Sequence, residues 1–225
     1  MSERSTILLL TRPEPQSRSF LAECEAALGR SIPAIISPIL RIKPVQYDLD
    51  LTRFETLILT SANAVRVLGP RLSGATVATV GEQTAQLARE FGADAVCRGE
   101  NVDSFLGNSG SVAGPALHAR GKHTRGCLAA RLTDADVWTD ECVVYDQVEQ
   151  TLSASAEKAL QDGDVCVPVF SPRSAALLSA HATHPDTRVL AISQAAADAW
   201  SGAGLVSVAA HPDRPSMRDL VLASI

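Results

Sequence analysis

Two apolar runs, Val167–Phe170 and Val189–Ile192, each end at a serine, Ser171 or Ser193, and each serine opens a segment with helical spacing. A short unbroken apolar run bounded by polar residues predicts a buried strand. The same order of strand, polar turn and helix recurs along most of the chain. Thr6–Leu10 predicts a first strand. TRPEPQ (Thr11–Gln16) predicts a polar turn, because neither proline fits inside a sheet. Ser17–Leu28 predicts a helix with Phe20, Leu21, Cys24, Ala27 and Leu28 on one face, closed by Gly29. Ile32–Ile36 and Ile39–Val45 predict extended pieces. Thr56–Leu59 predicts a strand that leads into the helix of TSANAV, and Thr76–Val80 one that leads into GEQTA. Ala116–His118 predicts a strand ending in the turn Ala119–Gly126, and Glu141–Val148 another strand. Leu152–Leu160 reads as a helix, Gly204–Ala209 as the last strand, and Met217–Ile225 as the last helix, capped by Ser216. Strands alternating with helices predict an α/β fold with parallel sheets. Eight to ten strands exceed what one compact sheet needs.

A weak internal repeat organises these elements. LILTSANAV and TVGEQTA parallel VPVFSPRSAALL and VLAISQAAA, and LLLTRPEPQSR parallels ALHARGKHTRG, with Arg12 over Arg120. The chain therefore reads A–B–A′–B′. The Pro-flanked stretch at 37–44 and the run at 143–149 predict two hinge strands. They would divide the chain into a discontinuous domain, 1–36 plus 150–225, and a central domain, 45–142. The expected fold is two parallel-sheet α/β domains with exchanged chain order, a two-stranded hinge, and an active site in the interdomain cleft.

Composition narrows the function classes. The 225 residues are 46% hydrophobic, which suits a folded globular protein, and the net charge is −5. No basic block exists, which argues against nucleic-acid binding. The five cysteines Cys24, Cys97, Cys127, Cys142 and Cys166 are scattered, with no CxxC pair, so no zinc site or disulfide framework is indicated. His118, His123, His181, His184 and His211 lack metal-ligand spacing and read as structural or exposed. The apolar run at Ile7–Leu10 is too short for a signal peptide or membrane span, which predicts a cytoplasmic protein. Monomer is the default. In an open parallel sheet, strand C-termini and helix N-termini line one edge, and that edge favours anionic ligands.

The chain resembles the uroporphyrinogen-III synthases, the cyclising enzymes of tetrapyrrole biosynthesis. The resemblance runs along essentially its whole length. It rests on LLLTRP, on PIL at Pro38–Leu40, on LTSANAV, TVGEQTA, the Gly121–Lys122 turn, VVYDQV, FSPRSA, AIS at Ala191–Ser193, and the closing P-x-x-x-x-L at Pro215–Leu220. The resemblance implies two α/β domains on a two-stranded linker. It also implies closure of hydroxymethylbilane to uroporphyrinogen III, with loss of water and inversion of ring D, without metal or organic cofactor. Its substrate is a polyanion that needs distributed carboxylate donors. The candidates sit after strands: Thr11 and Arg12; Ser61 and Asn63; Gly81 and Thr84; Arg120, Lys122 and Arg125; Ser171 and Arg173; and Ser193. Tyr145 matches the family's hinge-strand tyrosine and is the candidate proton donor to the departing hydroxyl. The resemblance leaves open a transient contact with hydroxymethylbilane synthase, the supplier of the unstable substrate. It predicts no nucleic-acid or membrane partner.

Other readings stand beside these. Ser61, Ser171 and Ser193 are equally suited to plain helix N-caps. Arg120, Lys122 and Arg125 also read as a solvated basic turn, and Tyr145 as a half-buried strand aromatic. Where many family members carry Gly-Pro and then Thr-Thr, this chain has Ser193, Gln194, Ala195 and Ala196. A two-lobed binding module for a small anion is the alternative function.

Overall fold

The computed structural model describes residues 6–48, 50–124 and 126–225. In chain order the strands and helices are β1 (Ile7–Leu10), α1 (Glu14–Leu28), β2 (Ala34–Ile36), β3 (Leu40–Pro44), β4 (Thr56–Leu59), α2 (Ala62–Leu68), β5 (Thr76–Val80), α3 (Glu82–Glu90), β6 (Asp94–Gly99) and α4 (Val102–Gly107). Then follow β7 (Ala116–Gly121), α5 (Leu128–Thr133), β8 (Thr139–Glu149), α6 (Ala154–Asp162), β9 (Val165–Val169), α7 (Pro172–Leu178), β10 (Arg188–Ala191), α8 (Gln194–Asp198), β11 (Leu205–Val208) and α9 (Arg214–Leu222). The chain divides into two compact units. One holds the chain up to Arg41 and from Glu149 onward; the other is Ile42–Val148.

The first unit has a five-stranded sheet in the order β11-β10-β9-β1-β2, parallel throughout. Its central strands are buried on both faces, which is why their sequences are unbroken apolar runs and not alternating ones. Alternate residues still separate by face. Leu9, Val167 and Val189 join an apolar layer with α6, α7 and α8 through Leu160, Ala175 and Ala196. Leu8, Leu10, Cys166 and Leu190 join the opposite layer with Phe20 and Cys24 of α1 and Met217 of α9.

The second unit has a six-stranded sheet in the order β3-β8-β7-β4-β5-β6, with β4 to β8 parallel. Ala64 and Val65 of α2 and Ala85 of α3 cover one face. Phe105 of α4 and Leu128 and Leu132 of α5 cover the other. The edge strand β3 runs against β8: Val45 N–H bonds the Val144 carbonyl at 2.9 Å and Gln150 N–H bonds the Ile39 carbonyl at 2.9 Å.

Counted within each unit, the sheets share one spatial order. β2, β1, β9, β10 and β11 of the first correspond to β8, β7, β4, β5 and β6 of the second. The sequence repeat has the same correspondence, β1 with β7 and β9 with β4.

Several boundaries differ from the sequence expectation. α1 begins at Glu14 and takes Pro15 into its first turn, where a missing N–H costs nothing. α9 begins at Arg214 for the same reason, with Asp213 and not Ser216 as its cap. β7 continues through Arg120 and Gly121, so those residues lie in a strand and not in a turn. Partner β8 is long enough to pair them, with a register shift between Arg120 and Gly121.

Candidate functional site

In doubly wound sheets, ligands bind beyond the strand C-termini where the winding direction reverses. The first unit reverses between β1 and β9. Thr11 and Arg12 follow β1 there, and Phe170 and Ser171 follow β9. The Arg12 guanidinium lies over the Phe170 ring, 4.3 Å from its centroid. Phe170 in turn meets Phe20 edge-to-face at 5.1 Å. The pair gives Arg12 an aromatic platform, a cation–π contact that fixes the guanidinium plane. Thr11 is buried, and its carbonyl accepts the Ile39 N–H. Arg173 lies 3.8 Å from Glu149.

Ser171 Oγ accepts the Ser174 N–H at 3.1 Å, and Ser193 Oγ accepts the Ala196 N–H at 3.4 Å. Both are helix N-caps. Ala196 is fully buried in the apolar layer, whereas Ala195 is exposed.

The second unit reverses between β4 and β7. Thr60 and Ser61 follow β4, and Arg120 and Gly121 end β7. Ser61 Oγ accepts the Asn63 N–H at 3.1 Å and caps α2. Gly81 has φ 80°, a region that suits glycine. Its N–H donates to the Gly99 carbonyl. Thr84 is buried inside α3. Arg125 lies outside the described residues.

Tyr145 sits on β8 beside Gly121. Its carbonyl accepts the Lys122 N–H at 2.9 Å. The residue is 5% exposed. No hydrogen bond involves its hydroxyl among the described residues.

The cationic candidates hold acids of their own unit. Arg120 bonds Glu141 at 2.8 Å, and Lys122 lies 3.5 Å from Asp146, which also has His123 at 3.4 Å. Burial pushes the Glu141 carboxyl up, but Arg120 and His118 outweigh it and hold the group below its usual range. At Asp146, burial likewise raises the carboxyl, and the Gln147 N–H, Lys122 and His123 together outweigh it. Lys122 stays largely exposed beside Asp146, whereas Arg120 is 21% exposed and holds Glu141 in a half-buried pair.

Sequence reasoning misses Thr60, His118, Glu141 and Phe170. Testing histidines for metal spacing hides His118, which is buried between Thr60 and Glu141. Its visible signal is the repeat, which sets a histidine on an apolar position. No group of three or more His, Cys, Asp or Glu side chains among the described residues is arranged to hold a metal ion. No helix among them is long and apolar enough to cross a membrane.

The family model described as Uroporphyrinogen-III synthase HemD matches residues 23–221. The chain belongs to the uroporphyrinogen-III synthase family. As a family member it is an enzyme of tetrapyrrole biosynthesis, a cyclase acting on a tetrapyrrole. Among solved structures, the uroporphyrinogen-III synthetase of Helicobacter pylori is similar with a TM-score of 0.69, over 98% of this chain and 100% of that one, at 16% identity. A mutant uroporphyrinogen III synthase of the extremely thermophilic bacterium Thermus thermophilus gives a TM-score of 0.50 over 97% of this chain and 98% of that one, at 15% identity. At these identities the likeness shows the α/β fold of the family. Among curated proteins none is similar enough in sequence to match.

Proposed function

We propose that this family member closes hydroxymethylbilane to uroporphyrinogen III, with inversion of ring D and loss of water. The family match over residues 23–221 carries this reading. In it, the substrate's carboxylates meet groups beyond strand ends: Arg12, Ser171 and Arg173 at the reversal of one unit, with Ser193 after β10, and Ser61, Asn63, Arg120 and Lys122 at the reversal of the other. Arg125, Thr11, Gly81 and Thr84 complete the proposed set, Thr11 and Gly81 through main-chain placement of the turns. Their support is position at or just beyond strand ends, and Arg120, Lys122 and Arg173 each lie beside an acid of their own unit.

The electron-rich pyrrole expels its hydroxyl readily. The enzyme's work is to hold a flexible chain so that the ring-D carbon already bearing a side chain attacks, forming a spiro intermediate. This is catalysis by orientation. The Tyr145 hydroxyl hydrogen-bonds the departing oxygen and passes it a proton, so that it leaves as water, and the phenolate regains the proton that the pyrrole carbon sheds as the macrocycle closes. The reading goes with a cytoplasmic enzyme that acts as a monomer and receives its substrate from hydroxymethylbilane synthase by transient contact.

The test incubates the protein with enzymatically generated hydroxymethylbilane, oxidises the product and resolves the isomers. Isomer III in excess over the spontaneous isomer I is expected. Isomer I alone would overturn the reading and leave a non-catalytic anion-binding module.

A further inference from the structure

His118 is 4% exposed in the centre of the second unit's sheet, where β4, β7 and β8 run side by side. Its Nε2 lies 3.2 Å from the Thr60 hydroxyl, one residue beyond β4. Its Nδ1 stands 3.5 Å from Glu141 Oε1, too long for a good hydrogen bond. Nδ1 has no hydrogen-bond partner among the described residues. The other Glu141 oxygen accepts from Arg120 at 2.8 Å. Glu141 on β8 and Arg120 on β7 are the charged groups that face the imidazole; β4 offers Ile58, and Thr60 follows its end.

The first unit shows what the fold itself requires at these places. Setting Arg12 over Arg120 sets Leu10 over His118, and setting Ser171 over Ser61 sets Phe170 over Thr60. Leu10 pairs in register with Ile36 as His118 pairs with Glu141. Leu10, Ile36 and Phe170 belong to one apolar layer. Three equivalent positions across three adjacent strands are thus apolar in one sheet and polar in the other. The architecture packs without polar groups there, and a buried imidazole with an unsatisfied nitrogen destabilises it. The polar trio lies at the winding reversal, which points to a ligand.

We propose that His118 is a positioning residue that sets the direction of the Thr60 hydroxyl, and that its protonation turns this hydroxyl toward a substrate carboxylate. The proposal rests on the reading of this strand edge as a polycarboxylate site. In the neutral ring the hydrogen belongs on Nδ1, facing the Glu141 carboxylate, and Nε2 accepts the Thr60 hydroxyl hydrogen. Thr60 then shows a ligand only lone pairs, which repel a carboxylate. One proton taken from solvent makes Nε2 a donor to Thr60, and the hydroxyl hydrogen turns outward to the ligand. The ligand's charge and Glu141 both favour the imidazolium; burial and Arg120 oppose it. Substrate binding and proton uptake are therefore linked.

The experiment measures KM and kcat for isomer III formation across about pH 5 to 8. Wild type is expected to show KM rising with pH by up to about tenfold per unit, the limit for one linked proton. His118→Gln removes the rise, Thr60→Val removes most of it, and Thr60→Ser keeps it; kcat keeps its own profile throughout. If His118→Gln does not fold, the two Thr60 variants decide. A wild-type KM that ignores pH, or a Thr60→Val variant with the wild-type slope, would overturn the proposal while isomer III formation leaves the function standing. Absence of isomer III from the wild type would instead overturn the functional reading beneath it.

Discussion

Gly121 lies against the Tyr145 ring so closely that a Cβ built on it would stand 2.6 Å from ring carbons Cε2 and Cζ and 2.9 Å from the hydroxyl oxygen. The register shift between Arg120 and Gly121 brings these two residues opposite each other. Bulges of this kind re-aim side chains near active sites. Gly121→Ala must push the ring aside or bend β7. The expected cost is about 1–3 kcal/mol of stability, with a fall in turnover. Gly110, which has nothing within 4 Å of the same built atom, is the control. Gly110→Ala should stay within about 0.5 kcal/mol by urea unfolding.

Tyr145→Phe keeps the ring and removes only the phenol. Its hydroxyl has no partner among the described residues whose loss would unfold the sheet. We expect unfolding midpoints close to wild type and kcat lower by up to about 100-fold, the lower end of general-acid contributions. Full turnover in the variant would remove the proton-donor role.

The three serine caps separate structural from binding roles. Ser61→Ala, Ser171→Ala and Ser193→Ala each remove a side-chain acceptor from a helix N–H. Each should cost about 1 kcal/mol. A hydroxyl that also meets substrate will show a further rise in KM that Gly at the same position does not rescue, although Gly restores much of the cap. Complete recovery of KM by Gly would assign that serine to capping alone.

His118 also makes a stability prediction with a definite sign. Burial lowers its proton affinity below the ordinary histidine value of 6.5, against the pull of Glu141. The unfolded chain then binds more protons than the folded one below about pH 6.5, so stability falls as pH drops through that value toward the folded one. His118→Leu, which installs the residue of its counterpart Leu10, lacks this component. Urea midpoints taken from about pH 8 to 5 should fall less steeply for the variant. Parallel curves would show that the imidazole does not titrate across folding.

What is legible in the sequence follows from which forces are local. Unbroken runs such as Val167–Phe170 and Val189–Ile192 announce the buried strands β9 and β10, and Ser61, Ser171 and Ser193 announce helix starts, because burial and capping act within a few residues. The end of β7 is hidden: Arg120 and Gly121 look like a turn, and only the length of β8 makes them strand. Asp213 escapes a local reading as a cap because Pro215 looks like a boundary, when a first helical turn accommodates it. The approach of Gly121 to Tyr145 depends on register between neighbouring strands, which no local pattern records. The Thr60, His118 and Glu141 cluster joins three strands, so it becomes visible only once each sheet position has its counterpart in the other unit.

The exchanged strand order has a consequence for how the chain is made. Strand β1 needs β9 as its neighbour, but β9 begins at Val165, after all of Ile42–Val148. On a ribosome adding about 5–20 residues per second, β1 and α1 wait on the order of ten seconds for that partner. The contiguous unit can complete its sheet in the interval. During it Leu8, Leu10 and Phe20 lack the layer that later covers them, and this nascent N-terminal segment is where a chaperone would find apolar surface to hold.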